Sequence, residues 1–282
     1  MKKIYLIYKL IRKFMDDNMP VYAASASFWI LISSVPFLML IITAIQFIPG
    51  LEKETVQMML IEAAPNMPQF RTLITSVTDN LYINSPGAMI SVSALLTIWS
   101  ASTGVYGIEK GIRNIYGTSK SSSYIKMRLG AMVFTFLFIV ALLLTLLLMV
   151  LGSSIQKLAN IYLPFIAHIV SYILNFKLLI TICILFISFM LIYRFMPGKA
   201  DYVDHQYPGA LFVSLGWVIF SFLFSIYFTY FKNISYMYGS LGALVLLMFW
   251  IFAIICMVFF GAEINAFWSV YKDSQNNNNM DK

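Results

Sequence analysis

The sequence predicts an all-α, polytopic membrane protein, and three observations carry that prediction. Hydrophobic residues make up 60% of the 282 positions and charged residues only 11%, where a soluble chain is nearer a quarter charged. Mean hydropathy is +0.82, too high for a chain that must wrap itself in a polar surface. The apolar residues also fall in long uninterrupted runs. From Leu241 to Ala262 no residue is charged, and a helix of that length rises about 33 Å, enough to cross a hydrocarbon core of about 30 Å.

Residues 2–17 read as an amphipathic helix. Ile4, Ile7, Ile11 and Phe14 share one face, and Lys2, Lys9, Arg12 and Lys13 lie mainly off it, a pattern suited to a membrane surface. The basic residues interrupt the apolar part and no small-residue cleavage site follows, unlike a cleaved signal peptide. Six spans are predicted, at about 22–48, 87–108, 129–152, 175–193, 208–231 and 240–266. Together with the first helix they form a single membrane domain over 1–270.

The first span is rich in Ala and Ser, and Pro36 near its middle should kink or loosen it. Between it and the second span, 52–63 and 67–81 read as short helices separated by Pro65 and Pro68. The second span carries Ser93, Thr97, Ser100 and Gly104 at helical spacing and should continue past the membrane through Glu109, Lys110 and Arg113. The third span is dominated by Leu, Val and Phe and suits a lipid-facing helix. An interfacial helix within 153–176 precedes the fourth span, which Arg194, Pro197, Gly198 and Lys199 end. Ser214, Ser221 and Ser225 share a face of the fifth span. Residues 271–282, with their run of asparagines, read as a disordered cytoplasmic tail.

Charge orients the bundle. With the N-terminus inside, 14 of the 19 lysines and arginines fall on the cytoplasmic side. Only Lys53, Arg71, Lys157, Lys177 and Lys232 fall outside. By the positive-inside rule both termini are cytoplasmic. The same distribution accounts for the net charge of +7 without a nucleic-acid partner.

Two groups of residues are candidates for function. Glu263 stands at the edge of the last apolar run, where a carboxylate is turned toward protein, water or a partner. Arg194, Arg113 and Lys110 are at the same depth and could pair with it, and Glu109 could join them, as an ion pair or a coupling site. The small and polar stripes could line a path across the bundle: Ser27, Ser34 and Pro36 in the first span, Ser93, Thr97 and Ser100 in the second, Ser214, Ser221 and Ser225 in the fifth. The same stripes equally suit close helix packing. Asp201, Asp204 and His205 are too few for a metal site, Cys183 and Cys256 lack ligand spacing, and no catalytic motif or cofactor signature occurs.

Four blocks resemble the YihY/virulence factor BrkB family of bacterial membrane proteins, once catalogued as ribonuclease BN. They are AASASFWILISSVPF at 23–37, WSASTGVYGIEKGIRNIYG at 99–117, YRFMPGKADYVDHQYPGALF at 193–212, and YGSLGALVLLMFW followed by GAEINA at 238–266. Thr103 departs from the pattern, which usually has a basic residue there. The resemblance implies six transmembrane helices in a bacterial cytoplasmic membrane, and a link to serum resistance or to transport of envelope lipids or solutes. The expected partners are membrane lipids and a lipid or small-molecule substrate. The leading expectation is a transporter or flippase-like protein for a lipid-linked or amphipathic envelope substrate. A non-transporting scaffold is the alternative, and ribonuclease activity fits poorly.

Overall fold

The structure is a computed structural model. It describes residues 2–45, 86–118, 123–149, 174–198, 206–230 and 234–280, with isolated positions between 53 and 79. Among the described residues there is no strand. The long helices are α1 (Lys2–Asp16), α2 (Met19–Ile45), α3 (Pro86–Ile115), α4 (Tyr124–Met149), α5 (Lys177–Phe195), α6 (Tyr207–Tyr230) and α7 (Ile234–Met280). The described positions between 53 and 79 are helical as well, and Lys53 pairs with Asp79 at 2.6 Å. The proposed interfacial helix before α5 falls on residues that lie mostly outside the described ones.

Among the described residues five helices are long and apolar enough to cross a membrane, within α2, α4, α5, α6 and α7. Their outward faces are apolar: Phe136, Ile187, Phe222 and Val245 are all exposed. That is the arrangement of a bundle whose solvent is lipid rather than water. α3 is long enough as well, but its Ser, Thr and Gly residues make it less apolar than the others.

α3 lies against α2 through small residues. Ala23, Ala26 and Ser27 are fully buried on α2. A Cβ on Gly104 would sit 3.1 Å from the Ala26 carbonyl oxygen, and one on Gly107 would sit 3.4 Å from the Ala26 Cβ. In lipid, where apolar burial between helices gains little, this close backbone approach is what drives association. α2 continues through Pro36 without a break in the helix, although proline removes one helix donor. On the other side of the bundle Trp217 of α6 joins α4, α5 and α7. Its ring centroid lies 6.2 Å from Phe138, 6.0 Å from Phe189 and 5.6 Å from Trp250.

Many helix ends gather at one pole. α1 turns sharply into α2 at Asn18, whose φ of 57° is tolerated better by asparagine than by most residues. α3 ends at Gly117 (φ 66°). There the Thr118 amide donates to the Arg113 carbonyl (2.8 Å) and the Gly117 amide to the Asn114 carbonyl (3.1 Å), the two bonds of a Schellman cap. Three contacts bind this pole together. Asn114 Nδ2 donates to the Asp17 carbonyl (3.1 Å), Tyr116 Oη to Gln206 Oε1 (2.9 Å), and Thr118 Oγ1 to the Pro197 carbonyl (2.6 Å). The chain therefore leaves this pole in α2 and returns to it at the end of α3.

The backbone of α7 stays helical through the asparagine run to Met280, where low complexity suggested disorder. No glycine or proline follows Gly261, so no strong helix breaker interrupts α7, although asparagine is a weak helix former.

Candidate functional site

The site is built on α7 just beyond its most apolar stretch. Gly209 of α6 and Gly261 of α7 face each other so closely that a Cβ on Gly209 would strike the Gly261 carbonyl oxygen. One turn further along α7, Asn265 Oδ1 accepts a hydrogen bond from the Gly209 amide at 2.7 Å. That amide is one of the unpaired donors at the start of α6, so Asn265 caps a neighbouring helix. Tyr193 Oη, fully buried on α5, donates to the Val258 carbonyl at 2.7 Å. These contacts fix the rotation of α7 and turn Glu263 inward.

Glu263 is 1% exposed. Lys13 Nζ donates to its Oε2 at 2.8 Å, and the Lys13 side chain is 45% exposed. Asp17 Oδ2 lies 4.0 Å from the same ammonium. The amphipathic pattern of α1 explains the placement. Phe14, on the apolar stripe, packs on Phe260 at 5.6 Å. Lys13, one position before it, is thereby delivered to the carboxylate. Oε1 of Glu263 is buried with no hydrogen-bond partner among the described residues.

Beside this pair a cavity of about 340 Å³ opens between α1, the end of α3 and α7. Lys9, Lys13, Glu263 and Tyr116 supply its polar groups, and Leu10 and Phe267 are among its apolar walls. Such a hollow combines two ammonium groups, a buried carboxylate and an oily wall. It suits an anionic head with an apolar body, and Lys13 can exchange its carboxylate for an incoming anion.

The other sequence candidates separate into two places. Arg113 and Glu109 bind each other, Nε to Oε1 at 2.8 Å, both buried on successive turns of α3. Gly198, with φ of 75°, lies against the Arg113 guanidinium, and a side chain at that position would strike it. Lys110 and Arg194 are exposed, the first over the Tyr106 ring at 4.7 Å and the second near the Phe195 ring at 5.6 Å. Neither lies within ion-pair distance of Glu263, whose cation is Lys13. Both point away because each follows an inward residue, Glu109 or Tyr193, and adjacent helix positions differ by about 100°.

The serine stripes are mostly hydrogen-bonded to their own helices. Ser27 donates to the Ala24 carbonyl, Ser34 to Leu31, Thr97 to Ser93, Ser100 to Leu96 and Ser214 to Ala210, at 2.6–2.9 Å. Ser93 is buried and Pro36 half-buried. The Ser221 hydroxyl is buried without a partner among the described residues, and Ser225 on α6 is engaged. None of these residues lines the cavity at Glu263. Among the described residues no three His, Cys, Asp or Glu side chains converge as a metal site. Asp201, Asp204 and His205 lie outside the described residues.

The profile of the family described as "Virulence factor BrkB" matches residues 10–282. The chain belongs to the virulence factor BrkB family. A curated relative from Bacillus subtilis (strain 168), the "Putative ribonuclease-like protein YfkH", is 30% identical over 244 residues, covering 86% of this chain and 88% of the relative. UPF0761 membrane proteins of Alteromonas mediterranea and Vibrio campbellii are each 22% identical. They cover 90% and 91% of this chain, and 84% and 80% of their own lengths. No solved structure matches. This BrkB-family chain is thus a multi-pass membrane protein, and the match runs through α1 from Leu10, the part that holds Lys13.

Lys13, Tyr116 and Asn265 escaped the sequence analysis as site residues. For Lys13 a signal was present: Lys9 and Lys13 are one helical turn apart and border the apolar stripe. Such a pair faces whatever that stripe is seated on.

Proposed function

We propose that this BrkB-family protein is a transporter or flippase-like protein of the bacterial cytoplasmic membrane, handling a lipid-linked or amphipathic envelope substrate. The cavity at the α1 pole is the observation that supports it most directly. An anionic head enters between Lys9 and Lys13, and the apolar part lies along α7. The head takes Lys13 from Glu263, which frees α1 to shift. In this reading the α1 pole is cytoplasmic, both termini are inside, and α3 is a sixth span. The test is reconstitution in liposomes with a panel of fluorescent lipids and small solutes. Movement of one class is expected, abolished by Glu263→Gln in protein that still folds and inserts. No binding and no movement across the panel would sink the reading.

A second reading, a non-transporting scaffold for envelope assembly, is favoured by one observation. Most of the small hydroxyls that could have lined a path are bonded to their own helix backbones. A scaffold predicts stable partners on crosslinking in cells and indifference to Glu263→Gln. RNA cleavage is not proposed. The words "ribonuclease-like" belong to the name of the Bacillus relative.

A further inference from the structure

A second cationic feature lies away from the cavity, on the outer seam of α3 and α4. Trp99, Thr103, Tyr106 and Lys110 follow one another at i, i+4, i+7 and i+11 and so share one face of α3. Across from them on α4 are Tyr124 and Arg128. The Tyr106 and Tyr124 rings meet edge-on at 5.6 Å. Arg128 Nη2 donates to Thr103 Oγ1 at 2.9 Å and to the Trp99 carbonyl at 3.2 Å, and its guanidinium lies over the Trp99 ring at 4.8 Å. Lys110 lies over Tyr106 nearer the α1 pole.

What this seam lacks is an anion. α4 carries no acidic residue, and Glu109, the one carboxylate of α3, is held by Arg113. Among the described residues no carboxylate lies within ion-pair distance of Arg128 or Lys110. Arg128 Nε is buried with no hydrogen-bond partner among the described residues. The surroundings are lipid-facing: Trp99 is 61% exposed, and Leu95, Tyr124, Ile125 and Leu129 are exposed with it. A cation in such a place is costly unless an anion is supplied to it, and two neutral acceptors and a ring do not neutralise it.

We propose that the α3–α4 seam binds the phosphate of an anionic phospholipid from the leaflet on the α1 side. Arg128 presents its remaining Nη1 donors to the phosphate oxygens, and Trp99 and Thr103 hold the guanidinium at the level of the headgroups. Lys110 supplies a second positive charge about 10–16 Å along α3, seven to eleven positions away at 1.5 Å each, toward the water. The acyl chains lie over Leu95, Ile125 and Leu129. Guanidinium suits this task because its planar donors match phosphate oxygens two at a time. The proposal stands apart from the transport reading, since a bound annular lipid need not move.

Trp99 reports on the seam directly. The full-length protein is reconstituted with brominated-chain phosphatidylglycerol or brominated-chain phosphatidylcholine, and tryptophan quenching is compared with that of Trp99→Phe. The Trp99-dependent quenching is expected to favour phosphatidylglycerol by about fivefold in apparent affinity, the effect of one added basic contact at a membrane surface. Arg128→Gln should abolish that preference. Equal quenching by the two lipids in the unmutated protein would overturn the proposal even if Arg128→Gln failed to fold. So would a preference that survives in folded Arg128→Gln.

Discussion

The Lys13–Glu263 pair is lopsided: the carboxylate is buried, while the ammonium is nearly half exposed. Removing one partner of a buried pair is costly mainly when a charge is left behind in the protein. Lys13→Met should therefore destabilise the detergent-solubilised protein by about 2–3 kcal/mol, from the stranded carboxylate. Glu263→Gln leaves only a half-exposed lysine, which can swing to water, and should cost about 1 kcal/mol or less. The double variant should resemble Glu263→Gln rather than the sum of the two. Thermal unfolding of the four proteins checks this, and equal costs for both single changes would contradict it. The pair also marks the limit of what the sequence conveys. The apolar run before Glu263 marked it as a carboxylate at the end of a span, turned toward protein, water or a partner. Its partner was not legible, because the contact spans 250 positions and depends on how α1 folds back beneath α7. The serine stripes show the converse. Their spacing is visible in the sequence, but a hydroxyl that bonds the carbonyl one turn back leaves no trace in that spacing.

At the scale of elements, helix contacts in this bundle are set by where glycine removes a side chain. A Cβ on Gly261 would sit 2.5 Å from Tyr193 Oη and 3.0 Å from the Gly209 carbonyl oxygen, and neither helix can retreat without losing the Asn265 cap. Gly261→Ala should cost about 1–3 kcal/mol, the range for overpacking. Gly216 is the matched control. A Cβ there meets only the Met257 sulfur at 3.3 Å, and a thioether side chain gives way easily. Gly216→Ala should be near neutral, so similar losses in both variants would refute the close-approach argument. The small-residue character of α2 and the glycines of α3 were legible as packing surfaces, because the physics of close approach needs only residue size. The facing of Gly209 and Gly261 was not, since it joins two helices whose relative rotation no local pattern fixes.

The segment between α2 and α3 has its own tie. The hydrogen bond from Lys53 holds Asp79 below the usual carboxylate range, and the same bond raises Lys53. Gln57 Nε2 adds a 3.0 Å bond to Asp79. A lowered carboxyl contributes above its unfolded value of about 3.9 and loses that contribution as pH falls through the lowered value. The raised lysine contributes fully below its unfolded value of about 10.4 and fades only as pH rises past the raised one. Hydrogen exchange of 53–79, corrected for intrinsic rates, should thus be flat between about pH 5 and 9 and rise toward stronger acid and, beyond the ordinary lysine value of about 10.4, toward stronger alkali. A rise near neutral pH would contradict this tie.

For the whole molecule, the number of crossings turns on α3. By apolarity alone it falls short of the other five helices, and a purely compositional reading would leave it outside the membrane core. The contacts at the pole argue otherwise. Asp17 at the start of α2 meets Asn114 near the end of α3, and Thr118 just beyond meets Pro197 at the end of α5. A chain that leaves a pole in one 27-residue helix and returns to it in a 30-residue helix travels about 40–45 Å each way. In the six-span reading proposed above, the second helix crosses what the first crosses. Its polar residues are tolerated because many of their hydroxyls bond backbone carbonyls and because α2 covers its small-residue face. Single cysteines in place of Lys53, Lys120, Lys157, Lys232 and Lys272, in a background without Cys183 and Cys256, test this from outside intact cells. Positions 53, 157 and 232 should react with an impermeant maleimide, and 120 and 272 should be protected until the membrane is opened. Labelling of position 120 together with position 53 would mean that α3 does not cross and that five crossings place the termini on opposite sides.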